Sequence, residues 1–175
     1  MPTPPSGFSL IELMATVALV ALLATLGAPS FHELALRMRV DAAMQRLTVQ
    51  MALTRNTAIV RRTTAALCPA NGAGGCRDDG DWSGGWLLYL DGDGNRQPDS
   101  ASDILREEPL PLHASLRIFT SSSRPQLRYL PDGRSGGSNM TVRLCHRDTL
   151  MGTVVVSNGG RVRTERPPRP TACAG

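Results

Sequence analysis

The chain has 175 residues, of which 41% are hydrophobic and only 4% aromatic. This is enough apolar material for a core of aliphatic side chains, and it excludes an intrinsically disordered chain. All 19 basic residues are arginine; residues 1–120 carry 10 of them against 12 acidic residues, and residues 121–175 carry 9 against 3. The net charge of +4 therefore comes from the C-terminal third, which predicts an anionic partner or, alternatively, a solvated basic face.

The N-terminal segment 8–31 is apolar, and Glu12 is its only charged residue. As a helix it would be roughly 36 Å long, enough to cross a hydrocarbon core of about 30 Å. A secretory signal usually has a shorter apolar core followed by a small-residue cleavage site. A plain membrane anchor would not need a carboxylate, which costs about 2.5–3.5 kcal/mol in a bilayer. Glu12 therefore indicates a specific role.

The stretch Gly7-Phe8-Ser9-Leu10-Ile11-Glu12-Leu13 resembles the prepilin cleavage and assembly motif of type IV pilins and type II secretion pseudopilins. The resemblance implies that a prepilin peptidase cuts after Gly7 and methylates the new N-terminus at Phe8. It also implies that Glu12 meets the amino group of a neighbouring subunit, where two opposite charges relieve each other's desolvation. Such a protein is a single-pass inner-membrane precursor that joins other major and minor pilins in a pilus filament, from the periplasm to the cell surface. The leader departs from the family pattern because it has no lysine or arginine.

Apolar residues continue at spacings of three and four from Leu36 to Ala58, which predicts that the helix extends to about residue 60 with one face on a globular domain. Pro29 predicts a kink or local melting. The predicted organisation is a leader at 1–7, a transmembrane or filament-core half-helix at 8–31, an amphipathic half-helix at 32–62, and a β-rich domain with an arginine-rich C-terminal hairpin and tail at 63–175.

The chain beyond residue 62 consists of short β-type runs separated by turn signals such as Asp-Gly and Gly-Gly. The runs lie too close together for helical crossovers, so a mostly antiparallel sheet packed on the helix is expected, an α+β fold. The eight predicted strands are 63–68, 85–90, 103–107, 115–120, 126–130, 140–146, 153–157 and 161–165.

The order of several short motifs in this domain is similar to that of the FimT/GspH minor pilin group, which implies the type IV pilin fold. These motifs are Gly84-Gly85-Trp86, Tyr89-Leu90-Asp91, Asp103-Ile104-Leu105-Arg106, Tyr129-Leu130-Pro131-Asp132-Gly133 and the late pair of strands from Val154 to Arg163.

Four cysteines on an exported chain predict two disulfides. Proximity in sequence favours Cys68 with Cys76 and Cys145 with Cys173, although the sequence leaves the connectivity open. No C-x-x-C pair is present, so a zinc site is not expected.

The acidic run at Asp91 and Asp93 suggests calcium, but it equally makes a tight turn, and Ser102 stands where a calcium loop would place its bidentate glutamate. The turn is favoured, and neither a metal nor a cofactor is predicted. His32, His113 and His146 have no evident catalytic partner, and the serines at 121–123 lack a Gly-x-Ser-x-Gly context, so an enzyme is not expected.

The sharpest functional signal is Gly160-Arg161-Val162-Arg163. In a strand Arg161 and Arg163 point the same way with Cα atoms about 6.5–7 Å apart, close to the spacing of phosphates along a DNA strand. Gly160 is expected to shape the hairpin. Further arginines are expected to converge on the same face: Arg166, Arg169, Arg143, Arg147 and Arg134.

This Gly-Arg-x-Arg stretch is similar to a motif of FimT proteins that bind DNA in natural transformation. The resemblance implies a minor pilin that captures extracellular double-stranded DNA without sequence preference, through phosphates. No aromatic residue interleaves with the arginines, so a stacking platform for single strands is not indicated. The alternatives are a GspH-like pseudopilin of type II secretion, a minor pilin that primes assembly without binding DNA, and a hairpin that arginines merely keep soluble.

Overall fold

The computed structural model describes residues 7, 9–109 and 115–173, with the side chains of residues 25–30 left out. Phe8 and His113 lie outside the described residues. The chain forms two compact units, Met1–Arg39 and Val40–Gly175. In the part of the chain that is described, one α-helix and nine β-strands are present.

Helix α1 spans Leu10–Arg61, close to the predicted range of 8 to 60. Residues 25–30 are helical, so the local melting expected at Pro29 does not occur. In the first unit most of the described apolar side chains are exposed, Ile11 at 78% for example, and Ala35 and Leu36 are half-buried. Within the described residues, no helix has both the length and the hydropathy of a membrane span.

In the second unit the predicted apolar stripe of α1 is buried. Val40, Leu47, Met51 and Ala58 are fully inaccessible, because they recur at helical spacing and face the β-strands. Gly152 approaches this stripe so closely that a Cβ there would lie 2.7 Å from Sδ of Met44. The helix and the sheets therefore share one core.

The eight predicted strands all form, within a few residues of their expected ends. A ninth strand was missed because it has only two residues and follows a proline-rich segment. The strands are β1 Ala65–Pro69, β2 Gly85–Leu90, β3 Ile104–Pro109, β4 Leu116–Phe119, β5 Leu127–Tyr129, β6 Met140–His146, β7 Thr149–Val156, β8 Val162–Glu165 and β9 Thr171–Ala172.

The strands form two antiparallel sheets rather than the single sheet expected. The first sheet has the order β3-β2-β1-β5, and the second has the order β4-β6-β7-β8, with β9 also pairing with β7. The chain changes sheets because β4 pairs with β6 instead of its sequence neighbours β3 and β5. Local hydrophobic alternation does not encode that choice.

In the first sheet, strands β1 and β2 are buried on both faces, and the edge strand β3 is largely exposed. Leu88 faces α1 beside Leu53, while on the opposite face Ala66, Leu87 and Tyr89 form a cluster with the Cys68–Cys76 pair. The loop closed by this disulfide therefore covers the face that α1 leaves open.

The second sheet has an inner and an outer face. Val142, Leu144, Val154 and Val156 alternate along β6 and β7 and are fully buried on the inner face. Residues between them point outward, and Arg143 is one of these. This outer face carries the arginines considered next.

Candidate nucleic-acid interface

The β7–β8 turn contains a position that only glycine fits. Gly160 is buried, has φ +80°, and donates its N–H to the Ser157 carbonyl at 2.8 Å. A Cβ at this position would lie 2.2 Å from the Gly133 carbonyl oxygen. Both the left-handed φ and the close approach exclude a side chain, so Gly160 fixes the path of the chain into Arg161.

Two side chains fasten this turn to the rest of the unit. Arg55 of α1 donates from Nε to the Gly133 carbonyl at 2.8 Å and from Nη2 to the Gly159 carbonyl at 3.2 Å. The buried Tyr129 hydroxyl donates to the Gly160 carbonyl at 3.3 Å, and burial raises the pKa of Tyr129 to about 12. The sequence gives no sign of this role of Arg55, because nothing local links it to carbonyls 78 and 104 positions away.

Arg161 and Arg163 lie where the turn meets β8. Both are exposed; Arg163 is the second residue of β8, and Arg161 directly precedes the strand, with its carbonyl accepting the Ser157 N–H at 3.0 Å. Arg163 forms an ion pair with Glu165, with 2.6 Å between Nε and Oε1, and its side chain remains 49% exposed. Among the described residues, no carboxylate pairs with Arg161.

Arg143 shares the outer face of the second sheet with Arg163. In register, Arg143 lies opposite Thr153, which in turn lies opposite Glu165. Two strand spacings, roughly 10 Å, therefore separate the Arg143 position from β8. Arg143 is half-buried, and no described carboxylate forms an ion pair with it.

Arg134 reaches the same end of the sheet from a different loop. The Ser135 N–H donates to the Asn158 carbonyl at 3.0 Å, so the residue that follows Arg134 is bonded to the β7–β8 turn. Arg134 is exposed, and no ion pair to a described carboxylate involves it. We call this region, formed by Arg134, residues 157–161 and Arg163, the turn end of the second sheet.

The expected convergence of all seven arginines is wrong. Arg147 lies in the β6–β7 turn, at the opposite end of the eight-residue strand β7 and so roughly 23 Å from the turn end. Arg169 precedes β9, which pairs with Thr149 and Leu150 near that opposite end. Arg166 is held by Asp41 of α1. Successive antiparallel turns necessarily lie at opposite ends of their shared strand, which a sequence motif does not reveal.

The opposite end, which we call the disulfide end, contains acidic residues among its arginines. Arg147 and the unforeseen Arg117 line a pocket of about 610 Å³ together with Asp79, Asp81 and Asp148. A hydrogen bond from Arg77 lowers the pKa of Asp79 to about 2, so this carboxylate is charged under all ordinary conditions. Strand alternation in 115–120 indicates an outward Arg117, but only the β4–β6 pairing locates it.

Both cysteine pairs match the proximity-based expectation. Cys68 and Cys76 have Cα atoms 5.6 Å apart, and Cys145 and Cys173 have Cα atoms 6.2 Å apart. The Cys173 N–H donates to the Asp148 carbonyl at 2.9 Å, so the C-terminal tail is fastened to the disulfide end.

The acidic run at Asp91 and Asp93 is occupied by protein contacts. Asp91 is buried; its Oδ2 lies 2.6 Å from Nε of Arg128, and its Oδ1 accepts the Arg96 N–H at 3.1 Å. Asp93 accepts the Asn95 N–H at 3.1 Å, the pattern of a tight turn. Within the described residues, no group of three or more histidine, cysteine or acidic side chains is arranged to hold a metal.

The residues of the predicted processing site are described in part. Gly7 is exposed, and Glu12 is exposed in the first turn of α1. Their expected partners are other molecules, so the structure of one chain leaves their roles as predictions.

Comparisons with known proteins give a consistent picture. A family model described as type II transport protein GspH matches residues 43–160, and a model of the prokaryotic N-terminal methylation motif matches residues 5–28. A search of curated proteins found no match.

Two crystal structures of the type IV minor pilin FimU of Pseudomonas aeruginosa strain PAO1 are similar to this chain. The first has 17% identity and a TM-score of 0.57, covering 77% of this chain and 94% of FimU. The second has 16% identity and a TM-score of 0.53, covering 75% and 96% respectively. At such identities the likeness establishes the fold.

Proposed function

We propose that this chain, which belongs to the GspH family and is a type IV pilin-like minor pilin, binds extracellular double-stranded DNA for pilus-mediated uptake in natural transformation. The observation that carries the proposal is the turn end, where the exposed Arg134, Arg161 and Arg163 lie together and, among the described residues, only Arg163 forms an ion pair with a carboxylate, Glu165. Guanidinium groups bind phosphate oxygens bidentately, and an uncompensated set of them attracts a polyanion.

The spacing of these arginines suits contact with a phosphate backbone. Arg161 directly precedes β8 and Arg163 is its second residue, so an extended chain would place their Cα atoms about 6.5–7 Å apart, and Arg143 extends the face across the sheet. Arg134 adds a fourth guanidinium from the neighbouring loop. Because flexible side chains engage phosphates without reading base edges, the binding is expected to be non-specific, with a Kd of about 10⁻⁴–10⁻⁶ M.

The N-terminal unit supports delivery of this face on a filament. The methylation motif spans residues 5–28, which include Gly7, Phe8 and Glu12. In the proposal a prepilin peptidase cleaves after Gly7 and methylates Phe8, the inner membrane holds the precursor, and Glu12 meets the amino group of a neighbouring pilin. The exposed apolar side chains of α1 in this unit then have neighbouring subunits to cover them.

A gel shift with the detergent-solubilised chain tests the DNA proposal. The variant Arg161→Gln/Arg163→Gln removes two charges from the turn end. Its matched control, Arg61→Gln/Arg62→Gln, removes two exposed charges from the end of α1, where Arg61 lies beside Leu88 of the first sheet. We expect the first variant to lose the shift of a 200-base-pair duplex that the wild type and the control retain. Equal shifts by all three proteins would refute the site, and no shift by the wild type at low salt would refute the function.

The match to a family described as a type II transport protein supports a second candidate, a GspH-like minor pseudopilin or an assembly-priming minor pilin without DNA contact. This candidate predicts binding to other minor pilins and no DNA shift at any salt concentration. Co-purification with other minor pilins from the same cells, combined with the gel shift, separates the two candidates.

A further inference from the structure

A second basic feature lies outside the turn end. The loops around Arg96, Arg124 and Ser138 enclose a pocket of about 350 Å³, which we call the Arg124 pocket. Arg128 also lines it, so three arginines contribute to the lining of this pocket. Among the described lining residues, none carries a carboxylate.

The guanidinium of Arg124 is half-buried and held by neutral acceptors. Its Nη2 donates to Oγ of Ser135 at 2.7 Å and to the Gly136 carbonyl at 3.3 Å, and its Nη1 donates to Oγ of Ser138 at 3.4 Å. In the described part of the chain, no carboxylate pairs with it. Burial lowers the pKa of Arg124, which is the expected consequence of placing a cation where water is partly removed and no anion replaces it.

The other two guanidinium groups differ in how they are compensated. Arg128 forms an ion pair with Asp91, whose side chain is fully buried. Arg96 is exposed, and no described carboxylate pairs with its guanidinium. Its backbone is fixed on both sides, because its N–H donates to Asp91 Oδ1 at 3.1 Å and its carbonyl accepts from Gln126 Nε2 at 3.1 Å. The pocket therefore holds two uncompensated positive charges on a rigid frame.

The pocket at the disulfide end provides the contrast. There Arg117 and Arg147 share their cavity with three aspartates, of which Asp79 and Asp81 form ion pairs with the neighbouring Arg77, so acidic side chains accompany the arginines within the pocket. In the Arg124 pocket the compensating anion has to come from outside. Convergent guanidinium donors and a serine hydroxyl match the oxygens of a tetrahedral oxyanion.

We infer that the Arg124 pocket is a binding site for a phosphate group, with Arg124 at its floor and Arg96 at its rim. The pocket is concave and admits a small phosphate or a phosphate at the end of a chain. A phosphate within a duplex backbone is less accessible to it. The inference does not depend on DNA binding at the turn end, and its ligand chemistry is shared by free phosphate and by a terminal phosphate of a nucleic acid.

Phosphorus NMR titration of inorganic phosphate with the chain in maltoside micelles, at constant ionic strength set with sodium chloride, tests this site. We expect saturable binding that Arg96→Gln weakens about fivefold or more. Arg124→Gln is expected to weaken it by a larger factor, about tenfold or more, since hydrogen bonds to charged groups are the strong ones. The described hydrogen bonds of Arg96 all involve its backbone and not its guanidinium. Arg96→Gln therefore removes no described side-chain bond that could stabilise the fold.

Arg134→Gln is the control, because Arg134 is close in sequence but does not line the pocket. Absence of saturable binding, or equal weakening by Arg134→Gln and Arg96→Gln, would overturn the inference. We expect Arg161→Gln/Arg163→Gln to retain phosphate binding, because these two residues belong to the proposed DNA face. Loss of phosphate binding in this variant would contradict a phosphate site separate from that face.

Competition experiments identify the source of the phosphate. Competition by a 5′-phosphorylated trinucleotide, but not by its 5′-hydroxyl form, would support a nucleic-acid end as the source, and competition by neither would support free phosphate.

Discussion

The two ends of the second sheet have similar numbers of arginines and very different electrostatics. At the turn end Arg134 and Arg161 have no described carboxylate partner. Arg163 is paired with Glu165, and both of these side chains remain partly exposed to solvent. At the disulfide end Arg117 and Arg147 share a pocket with three aspartates. Arginine count alone would not distinguish these ends. The positions of the acidic residues determine which one can attract an anion.

The ends also differ in how the chain is held. The disulfide end is closed covalently by Cys145 and Cys173. The turn end is held by the conformation of Gly160 and by hydrogen bonds from Arg55 and Tyr129. Substitutions should therefore disturb the turn end selectively.

The largest effect is expected for Gly160→Ala. A Cβ would meet the Gly133 carbonyl oxygen at 2.2 Å, and φ +80° is unfavourable for alanine, so we expect a loss of about 2–4 kcal/mol in unfolding free energy. Gly159→Ala is the matched control, because the nearest atom to its Cβ is 3.9 Å away, and it should change stability by no more than about 0.5 kcal/mol. Urea unfolding followed by the fluorescence of the buried Trp82 and Trp86 measures both. Equal stabilities of the two variants would contradict the assigned turn geometry.

A smaller loss is expected for Arg55→Gln. This change removes hydrogen bonds to the Gly133 and Gly159 carbonyls, so unfolding free energy should fall by about 1–2 kcal/mol. Arg46→Gln, an exposed change on the same helix, should have an effect of less than about 0.5 kcal/mol. The same fluorescence assay compares the two variants. If Arg55→Gln left the unfolding free energy unchanged, the hydrogen bonds from Arg55 would not stabilise the turn.

Tyr129→Phe should cost about 1 kcal/mol at neutral pH, through the hydrogen bond to Gly160. It also has a pH signature. Burial raises the folded-state pKa to about 12, above the unfolded value near 10, so this stability is present below about pH 10 and is lost as the pH rises toward 12. In an alkaline unfolding series the variant should decline less steeply than the wild type. Parallel declines would place the tyrosine hydroxyl outside the buried core.

The smallest effect is expected from single aspartates near each end. Asp132 is exposed two residues before Arg134, and its Oδ1 accepts the Arg134 N–H at 2.9 Å, a bond that asparagine can keep. Asp132→Asn should strengthen DNA binding about twofold at 50 mM salt, a typical effect for one exposed charge. Asp148→Asn at the disulfide end should leave it unchanged. Fluorescence anisotropy measures both, and a stronger response to Asp148→Asn would reverse the comparison.

The sequence predicts the strands and the buried helix stripe well, because hydrophobic periodicity is a local property. Val154 and Val156, for example, alternate with outward residues regardless of partner. The division into two sheets depends on β4 pairing with β6, a long-range choice that local patterns do not contain. The seven-arginine patch failed for the same reason, since Arg147 is close in sequence to Arg143 but lies beyond the end of β6.

Single residues of the two proposed sites differ in the same way: some are indicated by a local sequence pattern, and others are evident only in the three-dimensional structure. Gly160, Arg161 and Arg163 form a contiguous motif and were found from it. Arg55 and Arg124 act through residues far along the chain or across loops, so only three-dimensional structure identifies them. A fold that brings distant backbone carbonyls to one guanidinium leaves no signature in the neighbouring sequence.

The salt dependence of DNA binding shows whether the arginines of the turn end contact phosphates. If about three phosphates are neutralised, the wild-type affinity for a duplex should fall about 40-fold between 50 and 200 mM salt. Arg161→Gln/Arg163→Gln removes two of these contacts, so its residual binding should fall only about three- to fourfold over the same range. Fluorescence anisotropy of a labelled duplex gives both slopes. A flatter slope for this variant than for the wild type and for Arg61→Gln/Arg62→Gln is the predicted result, and an unchanged slope would contradict DNA binding at the turn end.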